Sequence, residues 1–246
     1  MATINKIILL GKSAFLEDAG ILVFGDLHLG YEEGLNDAGV LIPRTMFKEM
    51  MDELGMIFGE IDKEGKTVRK IVVLGDLKHE FGSVLYQEWS DVSQFLKRLK
   101  EKVKDGEVIL IKGNHDTILE PIVKREGLEL KDFYVDRGYG FLHGHKMFDE
   151  ILDKNVKTIF VGHMHPAITL RESVKSERYK CFLAGKWKGK KLIVTPSFFP
   201  FVEGADIFYQ EGNLAMKVNV KNMDVYVVGS GLEVLRFGKM RRLEER

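Results

Sequence analysis

Cysteine is almost missing: Cys181 stands alone in 246 residues. That excludes a disulfide framework and any zinc site built from several thiolates. Proline is sparse, at 5 residues, and no low-complexity linker divides the chain, so a single domain spanning 1–246 is expected. That length can bury a sizeable core. No apolar run approaches a membrane span. No secretory leader pattern opens the chain either, since KIILL (6–10) is too short for its apolar region. A cytoplasmic location is the expectation. Charge of neither sign dominates, with 37 Lys and Arg against 37 Asp and Glu. A dedicated nucleic-acid binder is usually basic, so any contact with DNA or RNA must be local. What remains is an ordinary globular composition, 45% hydrophobic and 30% charged.

Within it, short β-branched runs alternate with helical patterns. IILL (7–10) and SAFLED (13–18), on either side of Gly11-Lys12, predict a hairpin leading into a strand at ILVFG (21–25). Residues 31–42 read as a loop. Met46, Met50, Leu54 and Ile57 form one stripe and predict a helix over 44–58. A strand at 71–75, a helix over 84–104, a strand at 107–113 and a helix over 117–126 follow. Shorter strands are expected near 139–143, 157–161, 178–184 and 191–195, then a β-rich end through 214–220 and 224–237. Alternating strands and helices predict an α/β sheet, and the later strands a second sheet packed on it.

The seven histidines are His28, His79, His115, His143, His145, His163 and His165, and none falls inside a predicted helix. Each lies just beyond an apolar run: ILVFGDLH, IVVLGDLKH, VILIKGNHD, FLHGH and TIFVGHMH. One such block is easily a turn, because Asp and Asn favour turn and helix-cap geometry. Five blocks of the same form, with no histidine elsewhere, resist that explanation. The carboxyl ends of parallel strands form the ligand crevice of open α/β sheets, so the blocks are predicted to meet there. Asp, Asn and His together offer oxygen and imidazole donors, which suit manganese, iron, zinc or nickel better than calcium. The donors outnumber what one four- to six-coordinate ion needs. Two ions are implied.

Asp-x-His, Gly-Asp, Gly-Asn-His-Asp, His-Gly and Gly-His-x-His, in that order from Gly25 to His165, resemble the calcineurin-like metallophosphoesterase superfamily. Within it the chain is similar to small phosphoesterases related to SbcD-type repair nucleases and to DNA-ligase-associated phosphoesterases. The early hairpin and the segment PSFFPFVEG (196–204) fit that subgroup. The resemblance implies a four-layer α-β-β-α sandwich of two mixed sheets flanked by helices. It implies two divalent cations, manganese foremost, with zinc, nickel or iron as alternatives. Asp26, His28 and His165 would hold one, Asn114, His143 and His163 the other, and Asp76 would bridge them. His115 would be the catalytic histidine at the leaving group and Asp116 its orienting carboxylate. His79 matches a histidine of the SbcD-type nucleases, while His145 carries no ligand role.

The implied reaction is hydrolysis of a phosphate ester by a hydroxide held between the ions. Cleavage of phosphodiesters, nuclease-like, is the first reading, with nucleic acid or nucleotides as partners and no membrane. Hydrolysis of small phosphomonoesters or cyclic nucleotides is the second. A non-catalytic scaffold is the third, but a scaffold expects eroded ligand positions and here each is filled. Elsewhere the bland readings are preferred. GKWKGKK (185–191) reads as a solvated hairpin turn before a phosphate track, Arg44 as a surface residue, and Cys181 as an inert strand residue. Phe198, Phe199 and Phe201 either line the pocket or close the core.

Overall fold

The computed structural model describes residues 2–82, 86–103, 106–172, 175–209 and 213–243. Its first sheet keeps chain order in space: β1 (Ala2–Ile4), β2 (Ile7–Leu10), β3 (Ser13–Leu16), β4 (Ile21–Phe24), β5 (Lys70–Val73), β6 (Glu107–Ile111) and β7 (Leu130–Lys131). Pairing is antiparallel up to β4 and parallel from β4 to β7. Parallel neighbours require crossovers. Helices α1 (Tyr31–Asp37) and α2 (Met46–Lys63) supply the first, α3 (Tyr86–Lys102) the second and α4 (Glu120–Arg125) the third.

The second sheet comprises β8 (Phe133–Asp136), β9 (Tyr139–Leu142), β10 (Thr158–Val161), β11 (Pro166–Glu172), β12 (Lys175–Trp187), β13 (Lys190–Val194) and β14 (Ala205–Asp206). Its order is β14-β11-β12-β13-β10-β9-β8, with β9, β10 and β13 mutually parallel. A final hairpin, β15 (Asp224–Val228) and β16 (Val234–Lys239), joins it along β12.

Both faces of the central strands are buried, which is why they read as unbroken apolar runs. Ile21, Val23, Val72 and Ile109 point between the sheets toward Phe141, Phe160, Phe182 and Ile193. Their alternating neighbours Leu22, Phe24 and Ile71 face Met50, Leu54, Ile57, Phe95 and Leu96 of α2 and α3. The outer face of the second sheet packs Leu142, Ile159, Leu183 and Val194 under Ile151, Met216, Met223 and Met240. Those covering residues come from short 3-10 turns and irregular segments. The expected sandwich of two mixed sheets is present, with its α-helices on the first sheet.

Some local readings differ. Residues 31–42 are not all loop, because α1 forms where its carboxylates have work to do. Glu32 accepts the Thr45 and Met46 amides at 2.6 and 3.0 Å, and Glu33 the Gln87 and Glu88 amides at 3.3 and 3.2 Å. Those are free N–H groups at the starts of α2 and α3, which need such partners. Helix 117–126 shortens to α4, with Pro121 in its first turn, where the missing N–H costs nothing. The expected strand at 214–220 does not form. Residues 84, 85 and 104 of the helix expected over 84–104 lie outside the described residues. GKWKGKK is the β12–β13 hairpin, turning at Lys188 (φ 45°) and Gly189 (φ 78°) as a two-residue loop demands. Cys181 is buried on β12. Among the described residues no helix is long and apolar enough to cross a membrane.

Candidate metal centre

Three of the histidine blocks follow β4, β5 and β6 of the first sheet, and two follow β9 and β10 of the second. The site therefore lies where the carboxyl ends of the parallel strands of both sheets meet. The loops are sewn together by backbone bonds: the Asp26 amide donates to the Gly75 carbonyl at 2.9 Å, and the His28 amide to the Asp76 carbonyl at 3.0 Å. Gly162 donates to the His143 carbonyl at 2.9 Å.

The backbone is strained where the donors sit. Asp26, His28, Asp76, His163 and His165 all have φ between 47° and 64°. Such left-handed conformations cost non-glycine residues roughly 1–3 kcal/mol each and persist only where the surroundings enforce them. Two glycines make the crowding possible. A Cβ on Gly113 would lie 2.1 Å from Asp76 Oδ1, and one on Gly162 would lie 2.6 Å from Asp26 Oδ2.

Among the described residues the donor atoms fall into three groups: two share Asp76, and a third, His28, His79 and His115, shares His28 with the first of them. Asp26, His28, Asp76 and His165 offer atoms within 4.8 Å of one another, and so do Asp76, His143 and His163. Asn114 joins the second group, its Oδ1 lying 3.0 Å from His143 Nε2. His143 donates from Nδ1 to the Leu74 carbonyl at 2.8 Å, which orients the ring so that Nε2 faces the other donors. That Nε2 faces Asp76 Oδ2 at 3.4 Å and His163 Nδ1 at 3.0 Å. Each carboxylate also binds backbone. Asp26 accepts the His163 amide at 3.0 Å, and Asp76 Oδ1 accepts the His115 amide at 2.9 Å.

Electrostatics point the same way. Burial pushes the His28 imidazole down to about 3, with His165 adding to it, so the ring is a neutral donor. For Asp26, burial pushes the carboxyl up, yet His165 and His143 outweigh it and keep it ionised. Burial would lower His143, but Asp76 and Asp26 lift it to about 9. Buried carboxylates here draw whatever positive charge is available. A mixed shell of carboxylate, amide and neutral imidazole, crowded around two shared positions, fits a pair of divalent cations.

His115 and His79 stand beside the first group. His115 Nδ1 donates to the His79 carbonyl, and its Nε2 lies 3.9 Å from Asp76 Oδ2. His79 Nδ1 is 3.4 Å from His28 Nδ1. Asp116 is placed differently from its expected role. Its carboxylate accepts the Gly113 and Leu77 amides at 2.8 and 2.9 Å, so it braces the turn, while the His79 carbonyl meets the His115 ring. Burial and then Asp76 push the Asp116 carboxyl up to about 6. His145 sits outside these donor groups, its ring centroid 5.2 Å from His143, and among the described residues its buried Nδ1 has no hydrogen-bond partner.

Of the three phenylalanines, Phe198 is buried over Lys12 and Phe199 is buried against His28, whereas Phe201 is half exposed. Arg44 stays on the surface, donating to Gln87 at 2.5 Å. The motifs do not disclose Glu88, Tyr31 or Phe81. Glu88 is buried and accepts the His79 and Glu80 amides at 2.9 and 3.0 Å, fixing the His79 turn. Tyr31 packs on His79 and Phe81 on His115. Tyr31 and Phe81 are signalled in the chain only by lying three and two residues beyond His28 and His79, and Glu88 by nothing local.

A family model for calcineurin-like phosphoesterases matches residues 19–229. Among solved structures, the nuclease MPE of Pseudomonas putida superposes with a TM-score of 0.64 at 18% identity, covering 92% of each chain. The E. coli phosphoesterase YfcE superposes with a TM-score of 0.39 at 13% identity, over 85% of this chain and 88% of its own. No curated protein matches by sequence. The likeness to MPE is one of fold.

Proposed function

The chain belongs to the calcineurin-like phosphoesterases, a family of metal-dependent hydrolases, and from that premise we propose that it is a manganese-dependent phosphodiesterase. Its substrates in this reading are nucleic-acid backbones or nucleotide diesters. Asp26, His28 and His165 would hold one cation and Asn114, His143 and His163 the other, with Asp76 shared. When bound, such a pair supplies charge to the phosphoryl oxygens and acidifies a water.

The protein's own groups do the rest. His115 keeps one proton on Nδ1 against the His79 carbonyl, so its mobile proton is carried at Nε2, the nitrogen facing the donors. Passing that proton to the departing oxygen is worth roughly 10²–10⁴ in rate. The backbone bonds to Asp26 and Asp76 hold the donors in place, so little reorganisation is needed during reaction.

The observation that carries the diester reading is the cluster in which the His79 and His115 rings pack against the donor His28, at mutual centroid spacings of 4.8 to 5.6 Å. A diester carries one negative charge, a monoester nearly two. Imidazole and aromatic rings around the donors suit the smaller charge. The shared fold with a nuclease supports this reading, as does the His79 match to SbcD-type enzymes, whose kinship is part of the proposal. The mixed oxygen and nitrogen donors are compatible with manganese, as they are with iron, zinc or nickel.

The test compares a chromogenic diester with its matching monoester on manganese-loaded protein. Diester turnover well above monoester turnover is expected, and His79→Ala is expected to depress it more than metal binding. Equal or better monoester turnover, with His79→Ala indifferent to substrate, would overturn the reading in favour of a phosphatase.

A further inference from the structure

The ring contacts continue past the metal donors. Phe81 packs on His115 with centroids 3.7 Å apart, and His115 stacks on His79 at 5.6 Å. His79 meets Tyr31 at 4.7 Å, and Tyr31 meets Phe201 at 5.6 Å. The inner members of this arc are half-buried, and its two ends are more open: Phe81 is 53% exposed and Phe201 49%. A single exposed phenylalanine needs no explanation. Two of them, each backed by a ring and closing opposite ends of one arc beside a metal-donor cluster, do.

Both ends are held in place. Thr117 Oγ1 donates to the Phe81 carbonyl at 2.6 Å. Lys180 Nζ donates to Ser197 Oγ and to the Val202 carbonyl, each at 2.6 Å, and so braces the segment that carries Phe201. Placement of this kind lowers the ordering cost of binding. The chain also has no net charge with which to hold a polyanion beyond the metal centre, so contacts to the bases have affinity to add.

We infer that Phe81 and Phe201 are specificity-determining residues that stack nucleobases flanking the scissile phosphate. This rests on the phosphodiesterase reading of the site. Phe81 lies on the His115 side, where the leaving group departs, and takes the base of that nucleotide. Phe201 takes a base at the other end of the arc. Stacking requires an open base face, so the bases it selects are unpaired. Each stack is worth about 5- to 160-fold in affinity.

The experiment uses manganese-loaded full-length protein and two substrates, oligothymidylate and an oligomer of equal length whose residues flanking the cleaved phosphate are abasic. Wild type is expected to show the higher kcat/KM on oligothymidylate. Phe81→Ala and Phe201→Ala should each lower that value by about 5-fold or more, through KM, and should lower it more on oligothymidylate than on the abasic oligomer. Phe81→Tyr and Phe201→Tyr keep a stacking ring and should retain wild-type values. Equal losses on both oligomers, or none on either, would overturn the inference. If wild type hydrolyses a chromogenic diester but neither oligomer, base stacking falls and the phosphodiesterase reading stands. If it hydrolyses no diester, both fall.

Discussion

Asp76 uses its two oxygens for different purposes. Oδ1 accepts the His115 amide at 2.9 Å and so positions the neighbouring turn. Oδ2 faces His143 Nε2 at 3.4 Å and His28 Nε2 at 3.9 Å, between the two donor groups that share it. Asp76→Asn keeps the shape and removes the charge. Metal content per chain should fall, and diester turnover should drop by at least ~10²-fold, since even outer partners of metal ligands are worth 10–100-fold. Elemental analysis showing two firmly held ions in this variant would remove Asp76 from its shared position. His115→Ala should behave differently, because its ring is held by the His79 carbonyl beside the donors. Metal content stays near wild type while turnover falls by roughly 10²–10⁴. Metal lost in step with activity would make His115 a ligand.

Elements connect these residues, and here the sequence is only partly legible. The strands and the histidine blocks after them could be read because each signal is local: an apolar run, a glycine, a polar donor. Helix α1 could not. Its Glu32 and Glu33 cap α2 and α3 through Thr45 and Gln87, partners 13 and 54 residues away. Glu88, Tyr31 and Phe81 escaped for the same reason, since their roles exist only through contacts made after folding. The segment 196–204 is another such element. It is tied to the site by the Phe199 amide on the Asp26 carbonyl at 3.1 Å and braced by Lys180.

That brace has a pH signature. Burial pushes the Lys180 ammonium down to about 7, Lys12 adds to this, and Asp26, Glu53 and Glu203 offset part of it. In the unfolded chain lysine binds its proton below about 10.4, whereas in the fold Lys180 does so only below about 7. Between those values the unfolded state holds more protons, so stability rises with pH, by at most ~1.4 kcal/mol per pH unit from this group. Below pH 7 the full penalty is present. Urea unfolding across pH 7 to 10 should show that rise in wild type and a flatter profile in Lys180→Met. An unchanged slope in the variant would mean that Lys180 is not the group responsible.

At the scale of the molecule, the donors join the two sheets. Asp26, His28, Asp76 and Asn114 come from loops of the first, and His143, His163 and His165 from loops of the second. Neither sheet alone holds a complete set, so cations bound here tie the two together. Manganese at 100 times its Kd should add ~2.7 kcal/mol of stability per site, a rise in Tm of roughly 5–10 °C. Chelation should reverse the rise, and thermal unfolding of Asp76→Asn should show little of it. The most direct measurement is an anomalous-difference map from manganese-soaked crystals. Two peaks about 3.5–4 Å apart are expected, one beside Asp26, His28 and His165, the other beside Asn114, His143 and His163, with Asp76 Oδ2 between them. A single peak, or peaks away from these donors, would contradict the account.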